Sequence, residues 1–151
     1  PALQGEFLTG RKAVLPEAAG GRVTLLAMGF SYDSRFPVEA YVKQYRKRFG
    51  EDARTGFFEV PMIGGMARMG RWFIDSGMRR GTPREDHEKV ITVYGGTADW
   101  KKRLNCNNPK AACLVLLDAR GNIGWVKEGL YEDRIWDELR AQAESLLAAA
   151  R

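Results

Sequence analysis

Cysteine and histidine are scarce in this sequence, which contains two cysteines and a single histidine among 151 residues. Two cysteines are too few for a disulfide framework, and neither cysteine has a neighbour at a spacing suited to a metal ion. Cys113 lies in an apolar run and is expected to be a small core residue, whereas Cys106 precedes Asn107 and is expected nearer the surface. A bond between them requires Cα atoms within about 7 Å, and the sequence leaves their pairing open.

A long uncharged apolar run is also absent, as is an N-terminal signal sequence. No segment of the sequence is therefore predicted to span a membrane. The sequence opens at Pro1 without an initiator methionine, and we expect a targeting segment or an anchor to have preceded it. The length suits one domain with one hydrophobic core, so residues 1–151 are predicted to form a single domain.

Acidic residues are outnumbered by basic ones, and the net charge is +5. Such an excess is typical of a solvated basic surface, and it would also suit anionic lipid head groups or an acidic partner. No helix-turn-helix, zinc finger or aromatic RNA-binding motif accompanies the charge. A nucleic-acid partner is therefore not expected.

Hydrophobic periodicity predicts an alternation of strands and helices. The predicted strands are a hairpin that begins near residue 5, then 23–28, 55–62, 90–94, 113–117 and 123–126. The predicted helices are 37–49, 66–76, a short one after Thr97, and 131–149. Helices between the early strands imply parallel crossovers, and the late strand pair implies a mixed sheet with helices on both faces.

Two helices carry apolar stripes at helical spacing, which we interpret as core faces. They are Val38, Tyr41, Val42, Tyr45 and Phe49 in the first helix, and Ile135, Leu139, Ala143, Leu146 and Leu147 in the last. Asp118 begins the turn Asp-Ala-Arg-Gly-Asn, where an aspartate usually bonds its own backbone. We therefore interpret Asp118 as a turn former and not as a catalytic carboxylate.

This order of elements resembles the thioredoxin-like superfamily. The blocks that carry the resemblance are an N-terminal hairpin followed by Gly21-Arg22 and an apolar strand, and the segment Leu-Leu-Asp-x-x-Gly-x-Ile that begins at Leu116. Residues 76–83, 100–105 and 116–129 together also resemble a narrower family, the thioredoxin-like assembly factor of the mitochondrial ATP synthase membrane sector. The resemblance implies a three-layer α/β sandwich. The narrower one implies a chaperone at the inner membrane.

The dithiol of redox-active thioredoxin-like enzymes has no counterpart here. The turn that should hold it reads Ser-Tyr-Asp-Ser-Arg-Phe-Pro over residues 31–37. Without a thiolate at the start of the first long helix, dithiol exchange cannot run at this position. The cis-proline that faces the dithiol in this superfamily would fall near Ala112, and Pro109 lies three residues too early. We therefore predict a non-enzymatic domain, without a cofactor, that binds another polypeptide.

The binding groove of such a scaffold lies beside the first helix, and its predicted lining is Tyr32, Asp33, Arg35 and the loop from Pro109 to Ala112. Arg79 and Arg80 would add guanidinium groups for a carboxylate or a lipid phosphate, unless they belong to a solvated loop. The expected partner is a protein or peptide, such as a subunit of a membrane complex, and an anionic membrane surface is a further candidate. The expected location is extracytoplasmic or membrane-associated: the periplasmic face in a bacterium, the inner membrane in a mitochondrion.

Two alternatives stay open. One is a thiol oxidoreductase that uses a single cysteine, for which Cys106 is the candidate because basic residues precede it. The other is copper delivery, because residues 29–32 faintly resemble a loop of thioredoxin-like copper chaperones, and Met62, Met66 and Met69 could offer thioethers to Cu(I). The copper reading lacks the loop cysteines of those proteins and offers only Asp33 there.

Overall fold

A computed structural model describes residues 2–63 and 83–150 of the chain. The helix predicted over 66–76 lies outside these residues, as do Met66, Met69, Arg79 and Arg80. The strands are β1 (Leu3–Phe7), β2 (Lys12–Leu15), β3 (Val23–Gly29), β4 (Thr55–Pro61), β5 (Ile91–Thr92), β6 (Ala112–Leu117) and β7 (Ile123–Gly129). The α-helices are α1 (Arg35–Phe49), α2 (Thr97–Arg103) and α3 (Asp133–Ala149), and 3₁₀ turns span Glu17–Ala19 and Arg84–Lys89.

The central sheet is four-stranded and mixed, in the order β4-β3-β6-β7. β3 runs parallel to β4 and antiparallel to β6, and β6 runs antiparallel to β7. All of β3 except Gly29, and all of β6, is buried, which explains why both read as continuous apolar runs instead of alternating ones. The predicted mixed sheet is therefore confirmed.

The predicted N-terminal hairpin is also confirmed. β1 pairs antiparallel with β2, and on its other side with β5, in a second sheet of order β2-β1-β5. Isolated parallel bridges at Glu59–Val90 and Met62–Val93 connect β5 and its flanks to β4. Residues 90–94 thus form a shorter strand than predicted, since only Ile91 and Thr92 have continuous ladder partners.

Buried side chains lie on both faces of the central sheet. On one face, the stripes of α1 and α3 pack against Leu25, Leu114 and Leu116. Every predicted core residue of α1 is buried, and all those of α3 are buried except Leu146, which is partly exposed. On the other face, the hairpin, the turn Glu17–Ala19, Trp100 and Leu104 cover Leu26, Val60 and Val115. The result is the expected three-layer arrangement.

Two buried tyrosines of α1 use their hydroxyl groups to tie separate segments together. The Tyr41 hydroxyl donates to the carbonyl of Leu130 at 2.7 Å and accepts the amide N–H of Glu132 at 3.2 Å, just before α3 begins. The Tyr45 hydroxyl donates to the Val23 carbonyl at 3.1 Å, where β3 begins. Burial raises the pKa of both phenols, so they remain protonated donors.

The turn between β6 and β7 follows its predicted chemistry. Asp118 Oδ1 accepts the backbone N–H groups of Arg120 and Asn122, both at 2.9 Å. Gly121 adopts a φ of 84°, which a side chain would disfavour. Asp118 is therefore confirmed as a turn former.

Candidate functional site

The candidate site lies at the carboxyl end of β3, where the chain leaves the sheet and enters α1. Ser31 and Ser34 fix this connection through reciprocal hydrogen bonds. The Ser34 hydroxyl donates to the Ser31 carbonyl at 2.6 Å, and the Ser34 N–H donates to the Ser31 hydroxyl at 3.2 Å. Gly29 is required beside them, because a Cβ there would lie 2.4 Å from Ser34 Oγ.

A second segment, the loop of residues 107–110, joins the site through Ser31. The Ser31 hydroxyl donates to the carbonyl of Pro109. Glu128 on β7 holds the same loop from the other side, since its Oε2 accepts the Asn108 N–H at 2.8 Å. Residues 107–110 are all exposed. The loop of residues 107–110 therefore forms a wall beside the connection between β3 and α1. Its position is set by β6, β7 and Ser31.

Exposed aromatic rings flank an arginine at the start of α1. The Arg35 guanidinium carbon lies 3.5 Å from the centroid of the Tyr32 ring and 4.2 Å from that of Phe36. The Arg35 Nη1 also donates to the Tyr32 carbonyl at 3.0 Å, which orients the guanidinium. Tyr32 is 77% exposed and Phe36 60% exposed. We call Tyr32, Arg35 and Phe36 the aromatic–arginine cluster.

The structure separates the predicted site residues. Tyr32 and Asp33 are exposed in the connection after β3, and Arg35, the first residue of α1, is partly exposed beside them. Ala112 is fully buried in β6, opposite Gly29 and Gly129, so its side chain is not available to line a groove. Arg79 and Arg80 lie outside the described residues. Phe36, Ser31 and Asn108 were missed, although the spacing of Tyr32 and Phe36, four positions apart, could have indicated one surface.

The expectation that Cys106 lies nearer the surface was wrong, because its side chain is buried. Cys106 and Cys113 form a disulfide bond with a Cα–Cα distance of 6.0 Å, and both residues are only 1% exposed. The chain turns back after α2 at Asn105, whose φ is 56°, and this turn directs Cys106 into the core beside Met28 and Val115. A free thiol at Cys106 is therefore absent in this state.

The described residues provide no support for the copper-delivery alternative. Met62 is buried in the core beside Val60 and Val93. No group of three or more His, Cys, Asp and Glu side chains within residues 2–63 and 83–150 is arranged to hold a metal ion. Among these residues, too, no helix is long and apolar enough to cross a bilayer.

A cluster of charged groups lies where β4 faces α1 and the turn Arg84–Lys89. Glu59 on β4 is largely buried, and this burial, reinforced by Glu39, raises the pKa of its carboxyl to about 7. Arg46 opposes the rise and Asp86 adds to it. Arg46 and Asp86 pair with each other at 3.3 Å, and the charge of Arg46 lowers the pKa of Glu59 without an ion pair between them being seen.

A shallow cleft of about 220 Å³ lies where α1 and α3 end, lined by Arg48, Phe49, Asp52, Arg54, Glu144, Leu147 and Ala148. Its charged side chains already pair with one another. Arg48 contacts Glu144 at 3.7 Å, and Arg54 contacts Asp52 at 2.8 Å. The charged side chains of the cleft are therefore already paired, whereas the rings of the aromatic–arginine cluster are exposed and available to a partner.

Several solved structures share this architecture. Etrx1, an exposed lipoprotein thioredoxin of Streptococcus pneumoniae, aligns with a TM-score of 0.63 at 12% identity, over 96% of this chain and 99% of that one. BsSco, a member of the Sco family of cytochrome c oxidase assembly proteins, aligns with a TM-score of 0.60 at 10% identity, over 95% and 92%. The thioredoxin domain of the thiol-disulfide oxidoreductase BVU-2223 from Bacteroides vulgatus reaches 0.53 at 20% identity, over 93% and 92%.

Sequence comparisons add no narrower assignment. No family model matches the chain, and no curated protein matches it. The resemblance to the ATP synthase assembly factor is therefore not shown. The likeness to the solved structures extends over nearly the whole chain, but at these identities it concerns the fold and not the activity. The chain has the thioredoxin-like fold, and residues 31–37, at the start of its first long helix, contain no cysteine.

Proposed function

We propose that this chain is a thioredoxin-like domain that binds an extended polypeptide segment and does not carry out thiol chemistry at the start of α1. The observation that supports this most directly is the aromatic–arginine cluster. The exposed rings of Tyr32 and Phe36 leave apolar area in contact with water. A partner that covers this area gains about 25 cal/mol for each Å² removed from water. Tyrosine and arginine are also among the residue types that contribute most to binding at protein interfaces.

The geometry around the cluster fits a peptide better than a small molecule. The cluster is open on the surface and is not enclosed in a cavity, and the exposed loop 107–110 lies against the same connection through Ser31. Arg35 is already stacked between two rings, so its orientation costs little entropy on binding. A partner with a carboxylate beside an apolar side chain would satisfy both the guanidinium and the rings.

The finer role we propose is assembly or chaperoning of a membrane complex, at an extracytoplasmic or membrane-associated location. Support comes from the resemblance of residues 76–83, 100–105 and 116–129 to the ATP synthase assembly factor. The neighbours offer looser support, since one is an exposed lipoprotein and another belongs to a family of cytochrome c oxidase assembly proteins. A subunit of the ATP synthase membrane sector is the partner to examine first.

The test is selection of random dodecapeptides displayed on phage, followed by affinity measurement of the enriched peptides. We expect the double variant Tyr32→Ser, Phe36→Ser to lose at least about tenfold in affinity, which corresponds to about 1.4 kcal/mol. The matched control is Ile123→Ser with Val14→Ser, because these side chains are 51% and 38% exposed but lie at the far end of β7 and on β2 of the N-terminal hairpin. Equal losses in both double variants, or no enriched peptide, would remove the proposal.

A second candidate is disulfide exchange through Cys106 and Cys113, which the bond between them favours. Its weakness is access, because a reactive sulfur must be reachable and both cysteines are buried. Insulin reduction by dithiothreitol separates the candidates. We expect no acceleration above dithiothreitol alone. A rate increase that disappears after replacing both cysteines with serine would favour exchange instead.

A further inference from the structure

The Cys106–Cys113 disulfide closes the loop that forms the second wall of the candidate site. Cys113 lies on β6, where it pairs with Met28 of β3 and Glu128 of β7, so its position is fixed by two neighbouring strands. Cys106 lies at the opposite end of the loop, just after α2. The bond between their sulfurs therefore attaches the start of the loop to the centre of the sheet.

Other contacts hold the loop less firmly than the disulfide does. Within it, the Lys110 N–H donates to the Asn108 side chain at 3.0 Å, and the Ala111 N–H donates to the Asn108 carbonyl at 3.1 Å. Outside it, Ser31 contacts Pro109, and Glu128 accepts the Asn108 N–H. The three of these bonds that involve side chains are exposed to water, where each contributes about 1 kcal/mol net. The disulfide is the one buried covalent restraint on this segment.

We propose that the Cys106–Cys113 disulfide positions the wall around Pro109 and thereby makes the binding site responsive to redox state. This inference rests on the proposed function, because it concerns regulation of the same site. With the bond formed, the Pro109 carbonyl is held within reach of the Ser31 hydroxyl. With the bond broken, only hydrogen bonds restrain residues 107–110, most of them exposed, and the wall becomes mobile relative to the aromatic–arginine cluster.

The chemistry requires a dithiol reductant. One thiolate of the reductant attacks a sulfur of the disulfide and forms a mixed disulfide, and its second thiol then displaces the chain. The reductant becomes an intramolecular disulfide, and the chain gains two electrons and two protons as the thiols of Cys106 and Cys113. Because both sulfurs are buried, the exchange requires the loop to open first. The adjoining residues 107–110 are exposed, so this opening need not disturb β6.

The test is amide hydrogen exchange on the purified chain before and after complete reduction, with the number of thiols verified by alkylation and mass measurement. We expect the amides of Asn108 and Ala111 to exchange at least about tenfold faster after reduction. The Asn122 amide is the internal control, because it donates to Asp118 at the opposite end of β6 and should not change. Affinity for a selected peptide, measured on the same samples, should fall at least about fivefold.

Each outcome decides the matter. Unchanged loop amides after complete reduction would overturn the proposal, and so would a uniform acceleration that includes Asn122, because the bond would then stabilise the fold as a whole. Faster loop exchange with unchanged peptide affinity would overturn the redox control. Faster loop exchange in a chain that never binds peptide would support the positioning role and remove the proposed function alone. Reduction in place, rather than cysteine replacement, avoids variants that fail to fold.

Discussion

Glu59 provides a quantitative prediction for the pH dependence of stability. Its carboxyl is buried between β4 and α1, with Glu39 and Asp86 near enough to raise its pKa and only Arg46 opposing them. The folded chain therefore holds a proton on Glu59 up to about pH 7, whereas an unfolded chain releases it near 4.5. Between these values the folded state binds more protons, so stability must fall as the pH rises.

The magnitude follows from the difference in pKa between the two states. Each unit corresponds to about 1.4 kcal/mol, so complete ionisation costs about 3 kcal/mol. Over the experimentally convenient window from about pH 5 to about pH 8, the loss is about 2.5 kcal/mol. Replacing Glu59 with glutamine removes the titrating group while keeping its size. Glu59→Gln should therefore be more stable than the wild type near pH 8, and nearly equal to it at low pH.

The assay is urea unfolding of both proteins at several pH values. The difference between their free energies of unfolding cancels the contributions of the titrating groups that both proteins share. Glu39→Gln is the matched control: it removes one like charge at an exposed position, so it should reduce the pH slope without abolishing it. A wild-type slope that matches that of Glu59→Gln would refute the reasoning, because Glu59 would then ionise as it does in water.

Two further predictions concern contacts described above. Tyr41→Phe leaves the Leu130 carbonyl and the Glu132 N–H without their partner, and should cost about 1–3 kcal/mol in urea unfolding. Tyr45→Phe removes a single hydrogen bond, the one its hydroxyl donates to the Val23 carbonyl, and should cost less; an equal or larger loss would contradict the bridging role of Tyr41. Gly121→Ala should destabilise by about 1 kcal/mol or more, because its φ is 84° and a Cβ would lie 2.8 Å from Pro16, whereas Gly95→Ala, in open space, should be nearly neutral in thermal unfolding. Comparable losses for the two glycines would show that backbone strain is not the cause.

Elements governed by local periodicity were the ones that sequence reasoning predicted well. The stripes of α1 and α3 needed only helical spacing, and the apolar runs of β3 and β6 needed only their composition. The Asp118 turn follows from residue chemistry within five positions. The hairpin of β1 and β2 is likewise a contact between near neighbours in the chain.

Features set by distant contacts were missed. The burial of Cys106 depends on the turn at Asn105 and on how α2 packs against the sheet. Neither feature can be predicted from the spacing of residues in the sequence. Glu59 looks like a solvent-facing residue of a strand until α1 and the turn Arg84–Lys89 cover it. Ala112 was placed in the groove by counting from Asp118, but its position in β6, between β3 and β7, buries it.

The arrangement of β1 between β2 and β5 has a consequence for biosynthesis. The hairpin of β1 and β2 leaves the ribosome before β5 does, yet β1 pairs with β5 through Glu6–Thr92 and Phe7–Ile91. Until that later segment emerges, β1 presents an unpaired edge and the apolar side chains of the hairpin have nothing to pack against. Contacts so far apart in sequence also slow folding, because a long loop must close before they form. A nascent chain halted before residue 92 should therefore be a preferred client of chaperones that recognise unpaired strands.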